Sequence, residues 1–397
     1  MIKVVTPDRC CGCGNCINKC PRKAISFVKD KYGFIFSQVD NEKCVNCALC
    51  EKVCPIINHQ NQQELNHRAF IAYSKNDRVR FNGSSGGIFG SIALDFFQQN
   101  NTNRVVYGAS FNESLKLELA PATNVELLTP LYKSKYLQSD LGERFFEIKE
   151  KLDVGESVLF TATPCQVSAL KLFLGKEYDN LITVDFVCHG VPSQDFFDKC
   201  KEYVEKRDKI KIVNYQFRAK KKNGSTPHYY KITYLKNNRT YSKLNLYTKS
   251  PFYLGFQKYI TLRDSCYNCQ FAYSNRCSDI TIGDFHEVDE YVSDINRFDG
   301  VSLFVINSKK GELVWQRIKD GLIFHELDIQ AMIQTKKIFA GGTQEPLRRK
   351  QFLYDLETKA FDCVVKKHLN SKKEWKKDIY YSLPTFLRNK LKKMMGM

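Results

Sequence analysis

The chain has 397 residues, 43% of them hydrophobic and 26% charged, enough for two or three domains and unlike collagen-like, coiled-coil or wholly disordered compositions. Lys and Arg number 61 against 43 Asp and Glu, a formal charge of +18 that points to an anionic partner or surface without choosing one. No run of about 18 apolar residues occurs and the first residues lack an apolar leader core, so a cytoplasmic protein is expected, in which the 16 cysteines stay reduced and clustered ones bind metal.

The first 54 residues hold nine cysteines, eight of them in two copies of one spacing: Cys10-x2-Cys13-x2-Cys16-x3-Cys20-Pro21 and Cys44-x2-Cys47-x2-Cys50-x3-Cys54-Pro55. Three thiolates this close wrap one corner of a 4Fe-4S cubane, and the fourth ligates the other cluster. The spacing assigns Cys10, Cys13, Cys16 and Cys54 to one cluster, and Cys44, Cys47, Cys50 and Cys20 to the second. Zinc is the plain alternative, but it needs four ligands per ion and leaves two triplets with distant fourth cysteines unexplained. Cys11 is surplus and is expected to be a packed neighbour. Ala24–Val28 and Phe34–Phe36 flank a turn at Lys31-Tyr32-Gly33, the pattern of a β-hairpin covering the clusters. Residues 1–57 resemble the two-cluster bacterial ferredoxin, and the polar stretch 58–68 reads as a linker.

Beyond the linker, Ser84-Ser85-Gly86-Gly87 opens a helical pattern in which Ile88, Ile92 and Phe96 share a face. Ser85, Gly86 and Gly87 would let backbone N–H groups approach a phosphate at the positive helix end, or form an ordinary cap. Lys133 and Lys135 beside Tyr136 suit an anionic cofactor, or are a solvated surface pair. Val158-Leu159-Phe160 is a short buried strand leading through Thr163-Pro164 into a helix near Cys165-Gln166, a junction of the kind where ligands gather. Cys165 is a small buried hydrophobe or, given a partner base, a nucleophile. The strand Leu181–Val187 runs into Cys188-His189-Gly190-Val191-Pro192-Ser193, where His189 either supplies a proton or simply bonds the turn. Cys266-x2-Cys269-x7-Cys277 needs a fourth ligand to hold a third cubane, and Cys188 is the best candidate; a half-used zinc site and core thiols are the alternatives. Asp284, after Gly283, contacts a cofactor or caps the next segment.

Strand-like stretches at Val105–Tyr107, Leu159–Phe160, Ile182–Val184, Tyr229–Tyr234, Thr281–Ile282 and Ser302–Ile306 alternate with helical patterns near 88–99, 140–152, 166–174, 194–207 and 311–320. Asn237-Asn238 marks a hairpin turn. The expected fold class is mixed α/β, a central mixed sheet with flanking helices behind the small ferredoxin-like unit. The divisions are 1–57, 58–68, 69–155, 156–340 and 341–397.

Taken together, Ser84-Ser85-Gly86-Gly87, Ser134-Lys135-Tyr136 with Ser139, Thr163-Pro164-Cys165-Gln166, Cys188–Ser193 and the Cys266/Cys269/Cys277 group followed by Asp279–Phe285 resemble the beta subunit of coenzyme F420-reducing hydrogenase and dehydrogenase. The likeness covers residues 1 to about 340. It implies an FAD in the body at Ser85, Gly86, Gly87, Lys133, Lys135, Tyr136, Thr163, Pro164, Gln166 and Asp284. It also implies a third 4Fe-4S cluster on Cys188, Cys266, Cys269 and Cys277, with hydride exchange near His189 and Cys165. The family often has glycine at Ala162 and tryptophan at His286, departures that put ligand approach and substrate identity in doubt.

The leading expectation is an iron–sulfur flavoprotein oxidoreductase acting on coenzyme F420 or another small molecule, with a ferredoxin or other redox protein as partner and no nucleic acid. An electron-transfer subunit with no substrate of its own and a zinc-structured nucleic-acid protein are the rivals. From Val364 onward ten Lys and Arg face Glu374 and Asp378, a local charge of +8. Such a tail suits peripheral contact with an anionic membrane, an acidic partner, or a merely solvated helix.

Overall fold

The computed structural model describes residues 5–58, 68–99, 103–221, 224–286, 288, 291–292, 295–296, 299–336, 339 and 341–370. Most of the expected linker, and the tail beyond Asn370, lie outside the described residues.

The N-terminal unit carries the hairpin β1 (Ile25–Lys29) and β2 (Ile35–Val39), paired antiparallel with Ile25 opposite Val39. Its turn is built by Asp30, whose Oδ1 accepts from the N–H of Tyr32 and of Phe34 at 2.9 and 2.8 Å, while Gly33 takes φ +85°.

The body is an eight-stranded sheet of β3 (Arg68–Ser74), β4 (Arg104–Phe111), β5 (Leu117–Ala122), β6 (Ser157–Thr161), β7 (Leu181–Phe186), β11 (Ile280–Asp284), β12 (Ser302–Ile306) and β13 (Leu322–Leu327). Their order is β13-β3-β12-β11-β7-β6-β4-β5. The middle four, β11, β7, β6 and β4, are parallel, and antiparallel strands close both flanks. A parallel centre must be covered on both faces, which is why Val158, Leu159 and Phe160 are apolar without alternation and fully buried. Odd and even positions then serve different layers. Val106 and Leu159 meet the helices Ile88–Gln98 and Lys309–Ile318, whereas Val105, Tyr107, Val158 and Phe160 meet Arg144–Asp153 and Pro164–Leu174.

A second sheet, β8 (Lys211–Lys221), β9 (Gly224–Lys236) and β10 (Arg239–Leu246), packs Tyr215 and Phe217 against Phe197 of the helix Gln194–Asp208 and against Phe252 and Tyr253. Asn237 and Asn238, at φ 49° and 59°, make the hairpin turn expected from the sequence.

The mixed α/β class is as expected. The segments divided at residue 155 share one sheet, since β3, β4 and β5 are interleaved with strands from the second segment. Arg68, read as the end of the linker, already opens β3.

Candidate functional site

Four cavities lined by the chemistry-bearing residues follow one another through the molecule. The first is bounded by Cys20, Cys44, Cys47 and Cys50, and the second by Cys10, Cys13, Cys16 and Cys54, with Cys11 and Cys50 in its wall. These are the two ligand sets assigned from spacing. Backbone N–H groups already point at sulfur, Gly12 to Cys10 at 3.4 Å and Ala24 to Cys20 at 3.3 Å. Burial pushes the Cys16 thiol up to about 11 and raises Cys50 and Cys54. Thiolates at such sites become favourable when a cationic metal core replaces the lost water. Among the described residues no three Cys, His, Asp or Glu side chains converge on a single-ion site. A cubane spreads its thiolates around a bulky inorganic core.

The third cavity, about 350 Å³, is lined by Cys165, Cys188, Cys266 and Cys269, with Cys11, Thr163, Pro164, Gln166 and Arg263. Cys277, expected as a ligand here, is elsewhere: it packs against the core under Arg144–Asp153 and Pro164–Leu174, near Asp185, Lys171 and Arg276. Cys165, not Cys277, lines this cavity with Cys188, Cys266 and Cys269. The reason is topological. Cys165 and Cys188 follow the C-terminal ends of the neighbouring parallel strands β6 and β7, whereas Cys277 precedes β11 and so enters from the opposite strand end. Burial pushes Cys266 to about 12 and Cys269 to about 11. The Cys165 thiol is raised first by its hydrogen bond with Cys11 and then by burial. The Cys165 thiol has Thr163 Oγ1 at 3.2 Å and the Cys11 thiol as hydrogen-bond partners. Gly190, at φ +111°, is required where the chain turns over this cavity, since a Cβ there would lie 2.8 Å from Cys266 Cβ.

The fourth cavity, about 470 Å³, is lined by Ser84, Ser85, Gly87, Lys133, Lys135, Tyr136, Thr163, Gln166, His189 and Asp284, most of the residues expected to hold a cofactor. Pro164, which lines the third cavity instead, and Gly86 are the exceptions. The Gly86 N–H bonds Ser302 Oγ at 2.9 Å, and a Cβ there would meet the Ala72 carbonyl at 2.4 Å, so this glycine serves packing against β3 and β12. Thr163 and Gln166 form a capping box for the helix Pro164–Leu174 besides lining two cavities. Tyr136 stacks on Phe256 at 4.4 Å rather than beneath a lysine. Lys133 Nζ donates to the carbonyls of Phe81 (3.1 Å) and Gly83 (3.5 Å), and Lys135 Nζ to those of Pro130 and Tyr132, both 2.7 Å. Burial first, and a neighbouring cation second, lower Lys133 to about 8 and Lys135 to about 7. Burial also lowers His189.

Sequence reading missed Arg218. It sits on β8 at φ +51°, 5% exposed, with Nη1 2.5 Å from Asp284 Oδ2 and 3.3 Å from Tyr136 Oη. The alternation of Tyr215 and Phe217 puts Arg218 on the opposite, outward phase of Tyr215-Gln216-Phe217-Arg218, so the sequence carried no signal that it is buried. The register shift between Gln216 and Ala219 hid it by breaking the alternation.

Residues 155–331 match the family described as the C terminus of the beta subunit of coenzyme F420 hydrogenase/dehydrogenase, and residues 9–56 match the 4Fe-4S dicluster domain. The chain joins a 4Fe-4S dicluster domain to a domain of the coenzyme F420 hydrogenase/dehydrogenase beta-type family. The F420H2 dehydrogenase of Methanosarcina mazei has a component that is 23% identical over 190 residues, 46% of this chain and 53% of that protein. An uncharacterized ferredoxin of Methanocaldococcus jannaschii is 36% identical over 52 residues, 13% of this chain and 66% of that protein. The match thus spans about half the length of the first relative and about two thirds of the second. A chain of the F420-reducing [NiFe] hydrogenase complex from Methanosarcina barkeri aligns over 66% of this chain and 82% of its own, at 17% identity and TM-score 0.41.

The dicluster domain is fastened to the beta-type domain by buried and half-buried polar contacts. Arg263 and Gln138 reach the carbonyls around Cys10 and Cys11, Gln270 Nε2 reaches those of Pro55 (3.0 Å) and Ile56 (3.2 Å), and Ser193 Oγ reaches that of Tyr32 at 2.6 Å. Successive cavities share walls as a result. Cys50 borders the first and second; Cys11 and Ile56 border the second and third; Thr163, Gln166, Cys188 and Gly190 border the third and fourth. Among the described residues no helix is long and apolar enough to cross a membrane.

Proposed function

We propose that this chain is an iron–sulfur flavoprotein oxidoreductase, with three 4Fe-4S clusters and one FAD in the four adjoining cavities and coenzyme F420 or another organic substrate reaching the last. The observation that carries the reading is the unbroken sequence of shared walls from Cys47, exposed at one end, to His189 and Asp284 at the other. Bound in this order, the clusters would supply one-electron steps and the flavin their conversion into a hydride exchange.

The chain's own residues do the holding and positioning. Cys165, Cys188, Cys266 and Cys269 are the third ligand set. Lys133, bonded to the Gly83 carbonyl beside Ser84 and Ser85, and Lys135, bonded to the carbonyls of Pro130 and Tyr132 in the same cavity wall, suit the pyrophosphate of FAD. Arg218 fixes Tyr136 and Asp284 in the cavity wall. His189, held neutral by its lowered pKa, can carry a proton beside the site. The exposed Cys47 end is where a ferredoxin or other redox protein would exchange electrons, and the similar component of an F420H2 dehydrogenase favours such a partner. The units proposed are 1–57, one body from 69 to about 340 built from the 69–155 and 156–340 segments, and the segment 341–397.

Anaerobic purification with iron, sulfide and flavin analysis tests the proposal, followed by a screen of F420 against other electron acceptors. The expected result is about 12 irons, four per cluster, and one FAD per chain. A chain with iron but no flavin would leave an electron-transfer protein without a substrate of its own. A colourless, zinc-loaded chain would overturn the reading altogether.

A further inference from the structure

We infer that Arg263 is a positioning and tuning residue for electron transfer between the dicluster domain and the body, clamping the loop of Cys10–Cys13 while its charge is balanced by the cluster in the third cavity. The inference rests on the three-cluster reading above.

Arg263 is 3% exposed and lines the third cavity beside Cys165 and Cys266. Its hydrogen bonds all end on neutral oxygens: Nη1 on the Cys10 carbonyl at 3.0 Å, Nη2 on that of Ile35 at 2.8 Å, and Nε and Nη2 on Gln138 Oε1 at 3.0 and 2.6 Å. Gln138 in turn donates to the carbonyls of Cys11 (3.0 Å) and Gly12 (3.3 Å). The clamp closes on Gly12, at φ +67°, where a Cβ would lie 2.9 Å from Arg263 Nη2 and 2.7 Å from Gln138 Nε2. One side chain therefore grips the loop between two ligands of the second cavity and stands in the wall of the third.

Of the other buried arginines, 218, 276 and 349 each face a carboxylate, whereas Arg80 bonds the carbonyls of Asn296 and Gly300. Among the described residues no carboxylate pairs with Arg263, and Asp8, the carboxylate lining the same cavity, is exposed. A buried guanidinium without a counter-charge is costly. A cubane with four thiolates is a net anion, so each offsets the other's desolvation. A cubane held in the third cavity would become more negative by one charge on taking one electron from a reduced cluster of the dicluster domain, with no bond or proton needing to move. A fixed cation alongside favours the reduced form and raises the potential.

The test is an EPR-monitored redox titration of the full-length chain purified anaerobically, the third-cavity signal being the one lost in Cys165→Ser. In Arg263→Gln the reduced-to-oxidised ratio of that cluster at a fixed solution potential is expected to fall about tenfold, a midpoint about 59 mV lower for a one-electron couple. The cluster of Cys20, Cys44, Cys47 and Cys50 should not move, and Arg263→Lys should stay near the parent. Gln138→Leu loosens the clamp but keeps the charge, and its third-cluster midpoint is expected to be unchanged. An unshifted midpoint in Arg263→Gln, or equal shifts in Arg263→Gln and Arg263→Lys, would overturn the inference. So would a lowered midpoint in Gln138→Leu, which would assign the effect to packing. Iron content separates the two levels: about 8 irons in the parent chain removes the third cluster and this inference with it, while about 12 with an unmoved midpoint removes only the inference.

Discussion

Asn15 donates its side-chain amide to the carbonyl of Ala169 at 2.7 Å and to that of Val53 at 2.9 Å, from a position with no solvent exposure. Ala169 lies on the helix that begins beside Cys165, and Asn15 lies between Cys13 and Cys16, so one amide links the surroundings of two proposed clusters. Both of its protons are used, and a carboxylate has none to give at neutral pH. Asn15→Ala should destabilise the chain by about 1–3 kcal/mol, the cost of leaving buried acceptors unmet. Asn15→Asp should cost at least as much. Guanidinium unfolding followed by tryptophan fluorescence measures it, and midpoints equal to the parent's would mean that water or a shifted backbone satisfies both carbonyls.

The third ligand set makes a prediction about iron alone. Cys165→Ser and Cys188→Ser should each lower iron from about 12 to about 8 per chain, because a cubane missing a thiolate is lost, whereas Cys277→Ser should keep about 12. Gly190→Ala should behave like the ligand variants although it removes no ligand, since its Cβ would collide with Cys266 and Leu262. Iron loss in Cys277→Ser, with retention in Cys165→Ser, would return the assignment to the order of the sequence.

That swap shows where the chain was legible from its residues and where it was not. The grouping of the eight N-terminal cysteines around two cavities could be read from spacing because the short loops between them leave the thiols few places to go. The third set is spread from 165 to 269, and neighbours in sequence are poor guides to neighbours in space over such a span. What brings Cys165 beside Cys188 is the parallel pairing of β6 and β7, each followed by a cysteine at its C-terminal end. That pattern was visible in the sequence as two strand-to-helix junctions, yet the nearness of Cys277 to Cys269 along the chain outweighed it. β8 escaped for another reason: its burial alternates only in part and its register slips twice beyond Gln216, so it does not show the period of a strand.

Arg218 and Asp284 form an ion pair in the wall of the fourth cavity, 5% and 26% exposed. Removing the cation leaves Asp284 partly desolvated and frees the Tyr136 hydroxyl. Arg218→Met should therefore cost about 3 kcal/mol, near the low end for a broken buried pair because Asp284 retains some contact with water. The double variant Arg218→Met with Asp284→Asn should recover part of that loss, giving a measurable coupling in a thermodynamic cycle. Additive losses would mean that the two side chains do not act on one another in the folded chain.

The lysines of the fourth cavity set a pH dependence whose sign follows from burial. Lys133 and Lys135 are lowered to about 8 and about 7, against about 10.4 in an unfolded chain. Between these values the unfolded chain holds more protons than the folded one, so the stability of the flavin-free chain should rise as pH increases from about 7 towards 10. An anionic ligand reverses the preference of the same groups: a pyrophosphate beside them favours their charged forms, and binding must draw protons from solution wherever the free lysines are partly neutral. FAD binding at pH 8 should therefore be accompanied by proton uptake and should weaken as pH rises further. Calorimetric titration of FAD in two buffers of different ionisation enthalpy reads the uptake directly. Lys135→Met should reduce the uptake and weaken binding, and Lys133→Met should do the same to a smaller degree at pH 7, where that group is already mostly charged. Proton release, or heats independent of buffer, would place the phosphates away from these two residues.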